Sequence, residues 1–278
     1  MQHLISKAHE SFIKFIYASV MVEDNRARRI LEDIARFEYR HMVWLMTDAR
    51  REGHSFNMDF DEREIKKLEV NTEGELLSVL IEDLENNIKT YSDEKETPTI
   101  ARLINDDKHF LYLVRGLELD DREITAFNQS RELPGVELKD DAKAALVFFL
   151  MEETFKEYEL ITIYSYLKVH SDKVVASCAF TDLAYDSIYH LKRFAELASK
   201  MGVLTVPKPI PHDKYQNIGV VEFLKENIEE EMDAEKQCLI LAEKIGNEEL
   251  SDFLLFISRQ EVYHGELLQR ALDAVKGE

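Results

Sequence analysis

Glycine and proline are scarce, with nine and five in a chain of 278 residues. A protein built on tight turns needs more of both, so long regular elements are expected. Cysteine is scarcer still. Cys178 and Cys238 each lie inside a helical pattern and form no CxxC pair. A cysteine-ligated zinc or iron centre is therefore excluded, and both thiols are expected to be small buried packing residues. No apolar run approaches the roughly 18 residues of a membrane-crossing helix. The N-terminus MQHLISKAHESF lacks the basic stretch and apolar run of a signal peptide. A cytoplasmic, reducing location is the expectation, with no membrane partner. Positive charge is in deficit too: 35 Lys and Arg stand against 55 Asp and Glu, for a net charge of −20. That balance argues against nucleic acid or an anionic lipid surface as partner and is compatible with cations.

What the chain has in quantity is helical periodicity. Apolar residues recur at three- and four-residue steps, predicting helices at 2–22, 26–52, 74–92, 98–118, 141–170, 173–201, 218–245 and 247–275. The punctuation agrees. Asp24-Asn25, Ser171-Asp172 and Gly246-Asn247 separate pairs of helices, and Pro98 sits where a first helical turn accepts proline. Residues 53–73 and 202–217 are longer connections without that periodicity, the second stiffened by prolines between 206 and 211. Residues 119–140, with Leu133-Pro134-Gly135, divide the chain into a first bundle at 1–118 and a second at 141–278. Each half reads as two helical hairpins joined by a long crossover, so the predicted fold is all-α, two four-helix bundles in tandem.

Carboxylates and histidines interrupt the apolar stripes. The last helix runs Leu250, Leu254, Ile257, Glu261, His264, Leu268; the one before it runs Leu224, Ile228, Glu231, Glu235, Cys238. The fifth runs Leu146, Leu150, Glu153, Glu157, Leu160, Tyr164, and the sixth Phe180, Leu183, Ser187, His190, Phe194. A buried, unpaired carboxylate costs several kcal/mol, so acids on a core face need a shared counter-charge, which a pair of divalent cations supplies.

Spacing supports the same reading. Glu38-Tyr-Arg-His41 and Glu261-Val-Tyr-His264 are both ExxH, and Asp106-Asp-Lys-His109 is a shorter-armed analogue. Residues at i and i+3 project from one helical face, so an acid and an imidazole so placed can share a metal. Hairpin geometry sets levels as well. Residues equidistant from a turn lie opposite each other: Glu10 with Glu38 about Asp24, Glu157 with Ser187 about Asp172, and Glu231 with Glu261 about Gly246. Glu85 and Asp106 pair in the same way about Lys95-Glu96. Tyr17, Tyr39, Tyr164 and Tyr263 are expected to be packing residues, and His3, His9, His54, His170 and His212 surface residues.

These residues resemble the ferritin-like superfamily, nearest to the rubrerythrin-like di-iron carboxylate proteins, in which two helices each give a Glu and two give ExxH. Glu10-Ser-Phe-Ile-Lys-Phe-Ile-Tyr17 followed by Glu38-Tyr-Arg-His41 looks like the first hairpin of that family. The resemblance implies metal ligands Glu10, Glu38, His41, Glu85, Asp106 and His109 in the first half, with Glu82 as an alternative. In the second half it implies Glu157, His190, Glu231, Glu261 and His264. There Ser187 stands where a Glu is expected, with Asp186, Glu153 or Glu235 as compensating acids. The first half, with a full set of six, is the expected working dinuclear centre.

The implied function is a non-haem di-iron oxidoreductase, reducing peroxide or oxidising ferrous iron with O2 or H2O2, although manganese suits nearly the same ligands. No rubredoxin-type module is present, so a separate electron donor is implied, and pairing of two chains as a homodimer is compatible with the design. Two other readings stand beside it: iron storage or buffering, and a non-enzymatic helical scaffold that retains the fold.

Overall fold

A computed structural model describes residues 1–119, 124 and 138–277. Among them the chain is all-α, with no strand: α1 (Gln2–Met21), α2 (Asn25–Arg51), α3 (Glu62–Lys66), α4 (Glu73–Ser92), α5 (Pro98–Arg115), α6 (Asp140–His170), α7 (Val174–Lys200), α8 (Val220–Lys244) and α9 (Glu248–Lys276). A single turn of 3-10 helix spans His212–Lys214. No described helix is long and apolar enough to cross a membrane. The expected linker tripeptide at 133–135 lies outside the described residues.

Local chemistry sets the helix ends. Asp24, Thr72, Thr97 and Asn247 cap α2, α4, α5 and α9, each side chain accepting a hydrogen bond from the first turn's backbone. Such caps contribute about 1 kcal/mol each. After α8, Gly246 takes a φ of 68° and turns the chain sharply into α9.

The chain divides into two compact units. One holds α1–α5 together with Gly202–Pro209; the other holds α6–α9 and the rest of the second crossover. In the first, α1 packs on α2, α2 on α5, α5 on α4 and α4 on α1, closing a four-helix ring. Nearly every α1 residue from Ala8 to Met21 is buried, because α1 is also covered by the first crossover, where Phe56, Met58, Phe60 and Ile65 turn inward. Thr205 of the proline-containing strap accepts a hydrogen bond from the Tyr17 hydroxyl through its backbone carbonyl. In the second unit α6 pairs with α7, α7 with α9, and α9 with α8, whereas α6 and α8 pack far less closely. That looser side matters for access to the centre described next.

Two details differ from the sequence-based expectation. The first crossover contains the short helix α3, which the long apolar pattern was too brief to reveal. Cys178 is exposed, and only Cys238 is a buried packing thiol.

Candidate metal centres

The second unit brings its acids and imidazoles together. Glu157 from α6, His190 from α7, Glu231 from α8, and Glu261 with His264 from α9 are all at most 6% exposed. His190 Nδ1 lies 2.8 Å from Glu157 and 3.8 Å from Glu261. His264 Nδ1 lies 3.0 Å from Glu261 and 3.7 Å from Glu231. The two imidazole rings are 5.3 Å apart, and His190, Glu261 and His264 each offer a ligand atom within 4.8 Å of the others. Ser187, at the position equivalent to Glu38 in its hairpin, is buried as well. All five second-unit candidates therefore converge.

The far nitrogens of these rings are held as well. His190 Nε2 donates to Gln260 Oε1 at 3.0 Å, and His264 Nε2 lies 3.3 Å from Asp186. Each partner is the residue just before an inward-facing one on the adjoining helix: Gln260 precedes Glu261, and Asp186 precedes Ser187. Such contacts leave Nδ1 directed at the centre and raise the ring's basicity as a ligand. Asp186, one of the acids named as compensating for Ser187, has this supporting position.

The electrostatics call for cations. Burial alone would lower the His190 pKa, but Glu157 and Glu261 raise it to about 9. His264 is raised well above its ordinary value against the same burial by Asp186, Glu231 and Glu261. Burial pushes Glu261 up to about 7. Without a metal, then, imidazolium protons supply the positive charge that the carboxylates need. Glu157 Oε2 and the Tyr164 hydroxyl are buried with no hydrogen-bond partner among the described residues. These open acceptors, together with a mixed carboxylate and imidazole donor set, suit a metal ion. A space of about 10 Å³ opens between α6 and α8, lined by Lys156, Glu157, Glu231 and His264 among others.

The first unit assembles a related but different set. Glu38 and His41 on α2 are fully buried, with His41 Nδ1 3.3 Å from Glu38 and 3.8 Å from Asp107 on α5. His41 Nε2 lies 3.2 Å from Asp106, again the residue preceding an inward-facing acid; Arg102 holds Asp106 from the other side. Asp83 of α4 is buried too, close enough to Glu38 and Asp107 to raise both carboxyls, chiefly alongside burial itself. Glu38 Oε1 and both Asp107 oxygens accept no hydrogen bond from any other described group, and the two carboxyls lie within hydrogen-bond reach of each other.

Several expected ligands lie elsewhere. Glu85 faces solvent and pairs with Arg115; Glu82 is exposed, 3.8 Å from Lys67; His109 is exposed. Asp106 supports His41 from outside the cluster. Glu10 is buried, but its carboxylate binds Lys7 and the Asp61 backbone N–H. His9, expected at the surface, is fully buried against Phe60 and Phe12. The physical reason for the α4 and α5 differences is helical phase. On α5 the buried stripe is Ile100, Leu103, Asp107, Phe110, Val114; on α4 it is Leu76, Leu80, Asp83, Leu84, Asn87, Tyr91. Asp106, His109 and Glu85 lie off those stripes. Asp83 and Asp107 lie on the apolar rows, one or two residues from the acids that hairpin level and ExxH spacing singled out, and Lys14 is buried on α1.

By position along the hairpins, the two clusters differ in composition. The second has both histidines and three acids, with Ser187 in place of the α7 acid. The first has acids on α2, α4 and α5, and Phe110 at the i+3 position from Asp107, where the second unit has His264 after Glu261. No family model matches the chain, and no curated protein or solved structure matches it either.

Proposed function

We propose that the chain is a ferritin-like metalloprotein of the di-iron carboxylate class, with its principal dinuclear centre in the second unit, and that it works as a non-haem oxidoreductase on a small oxidant. The observation that carries this reading is the convergence of Glu157, His190, Glu231, Glu261 and His264 from four helices onto one buried point. Three carboxylates and two imidazoles there would hold two divalent ions, with Glu261 placed between the two histidines to serve both. Bound iron would supply the capacity to pass electrons to O2 or H2O2. The helical units position the ligands, and Gln260 and Asp186 fix the rings.

The enclosed space at the centre is only about 10 Å³, and a cavity of about 400 Å³ lies beside it between α6 and α8, sharing Lys156 and Leu160 with it. The α6–α8 side, where helices pack least closely, is the route in, with Lys156 at its edge. Peroxide reduction and ferrous-iron oxidation are the reactions compatible with such a site. The proposed electron donor is a separate molecule.

Iron loading of the purified full chain tests the reading. The account expects the second unit to take up a pair of ions, and Glu261→Ala or His264→Ala to remove them along with peroxide-dependent or O2-dependent turnover of iron. Unchanged metal content in both variants would sink it.

A further inference from the structure

The first unit balances its buried acids in a way the second does not. Lys14 on α1 is 1% exposed, and its ammonium binds Asp83 and, at 3.0 Å, Glu64 of the crossover. The other Asp83 oxygen accepts from the Ser11 hydroxyl, which in turn accepts from Asn87 at 2.7 Å. Asp83 is thus engaged at both oxygens by groups of the protein itself. Asp83 is the α4 counterpart of Glu231, whose carboxylate in the second unit turns to His264. A fixed cation therefore stands beside the acid that would hold one of two metal ions.

Two further features remove ligands from the same position. Phe110 occupies the place of the second imidazole and stacks on His41 with ring centroids 6.1 Å apart. Glu10 is drawn off toward Lys7 and the Asp61 N–H. What remains is Glu38, His41 and Asp107, fully buried, with ligand atoms within 4.8 Å of one another. Three of their oxygens receive no hydrogen bond from any other described group, and without a cation the Glu38 and Asp107 carboxyls are close enough to share a proton. Lys14 serves Asp83 and Glu64, and no described lysine or arginine pairs with Glu38 or Asp107; ionised by a bound cation, these two carboxylates and a neutral imidazole match the charge of one divalent ion.

We propose that the first unit is a one-ion site, in which Glu38, His41 and Asp107 hold a single divalent cation and the Lys14 ammonium replaces the second. The comparison rests on the reading of the second unit as dinuclear, but the first-unit claim is tested separately.

The test uses the full chain carrying Glu261→Ala and His264→Ala, which disables the second unit, stripped of metal and titrated with Mn(II). The proposal expects one tightly bound ion per chain with the six-line electron paramagnetic resonance spectrum of isolated Mn(II), lost when Glu38→Ala is added. Adding Lys14→Met together with Phe110→His instead, which removes the fixed charge and supplies the missing imidazole, is expected to admit a second ion and give a spin-coupled spectrum. Two coupled ions with Lys14 in place, or none, would overturn the proposal, and that result stands even if the Lys14 variant does not fold. Failure of the second-unit reading looks different: the unaltered chain would then bind no more metal than the double variant.

Discussion

His41, His190 and His264 each make contacts through both ring nitrogens. Nδ1 faces acids at the centre, and Nε2 is held by the residue before an inward-facing position on the next helix: Asp106 for His41, Gln260 for His190, Asp186 for His264. Removing an outer partner leaves the ligands in place but frees the ring. Asp186→Ala is therefore expected to weaken metal binding in the second unit by about 10–100-fold without unfolding the protein, measured by competition with a chelator. An unchanged affinity would show that Asp186 does not orient His264. His9 makes a prediction of a different kind. Burial lowers its pKa from 6.5 to about 4, so the folded ring stays neutral where the unfolded ring takes up a proton. The stabilisation is complete above pH 6.5 and is lost as pH falls through that window toward 4, amounting to on the order of 3 kcal/mol. Denaturant unfolding of the metal-free protein at pH 7 and pH 4.5 should show a smaller loss in His9→Phe than in the unaltered chain. Equal losses would exclude His9 as a source of acid sensitivity.

At the scale of the element, turns and phases decide what meets what. Gly246 ends α8 in the left-handed region, so Gly246→Ala is expected to destabilise the second unit by about 1–2 kcal/mol, read as a lower denaturation midpoint with helical content retained. No change would mean that the turn relaxes into another geometry. The hairpins themselves were legible in the sequence, because Asp24, Pro98, Ser171 and Gly246 are local signals that act without tertiary context. The second-unit ligands were legible for the same reason: Glu261 and His264 lie on an unbroken apolar row. On α5 the competing signals were one residue apart. Asp106 and His109 matched the motif, while Asp107 and Phe110 matched the stripe of Ile100, Leu103 and Val114, and burial follows the stripe. The same phase places Asp83 inside and Glu85 outside on α4. Lys14 was not legible at all, since a lysine on an otherwise apolar helix is explained only by acids from α4 and the crossover, which the sequence does not place beside it.

At the scale of the whole molecule, two helical units each bury a cluster of acids with histidine, and the clusters differ in composition. The first-unit acids are offset partly by a lysine, whereas the second-unit acids are offset by imidazolium charge that a metal would displace. The expectation that the first half is the working dinuclear centre is thereby reversed in the account proposed here: it is the second unit that keeps both histidines and an opening between α6 and α8. The most direct test is anomalous X-ray diffraction from crystals of the full chain loaded with iron, recorded on both sides of the iron absorption edge. The account predicts two neighbouring iron peaks among Glu157, His190, Glu231, Glu261 and His264. Absence of iron density at that point in a loaded crystal would contradict it.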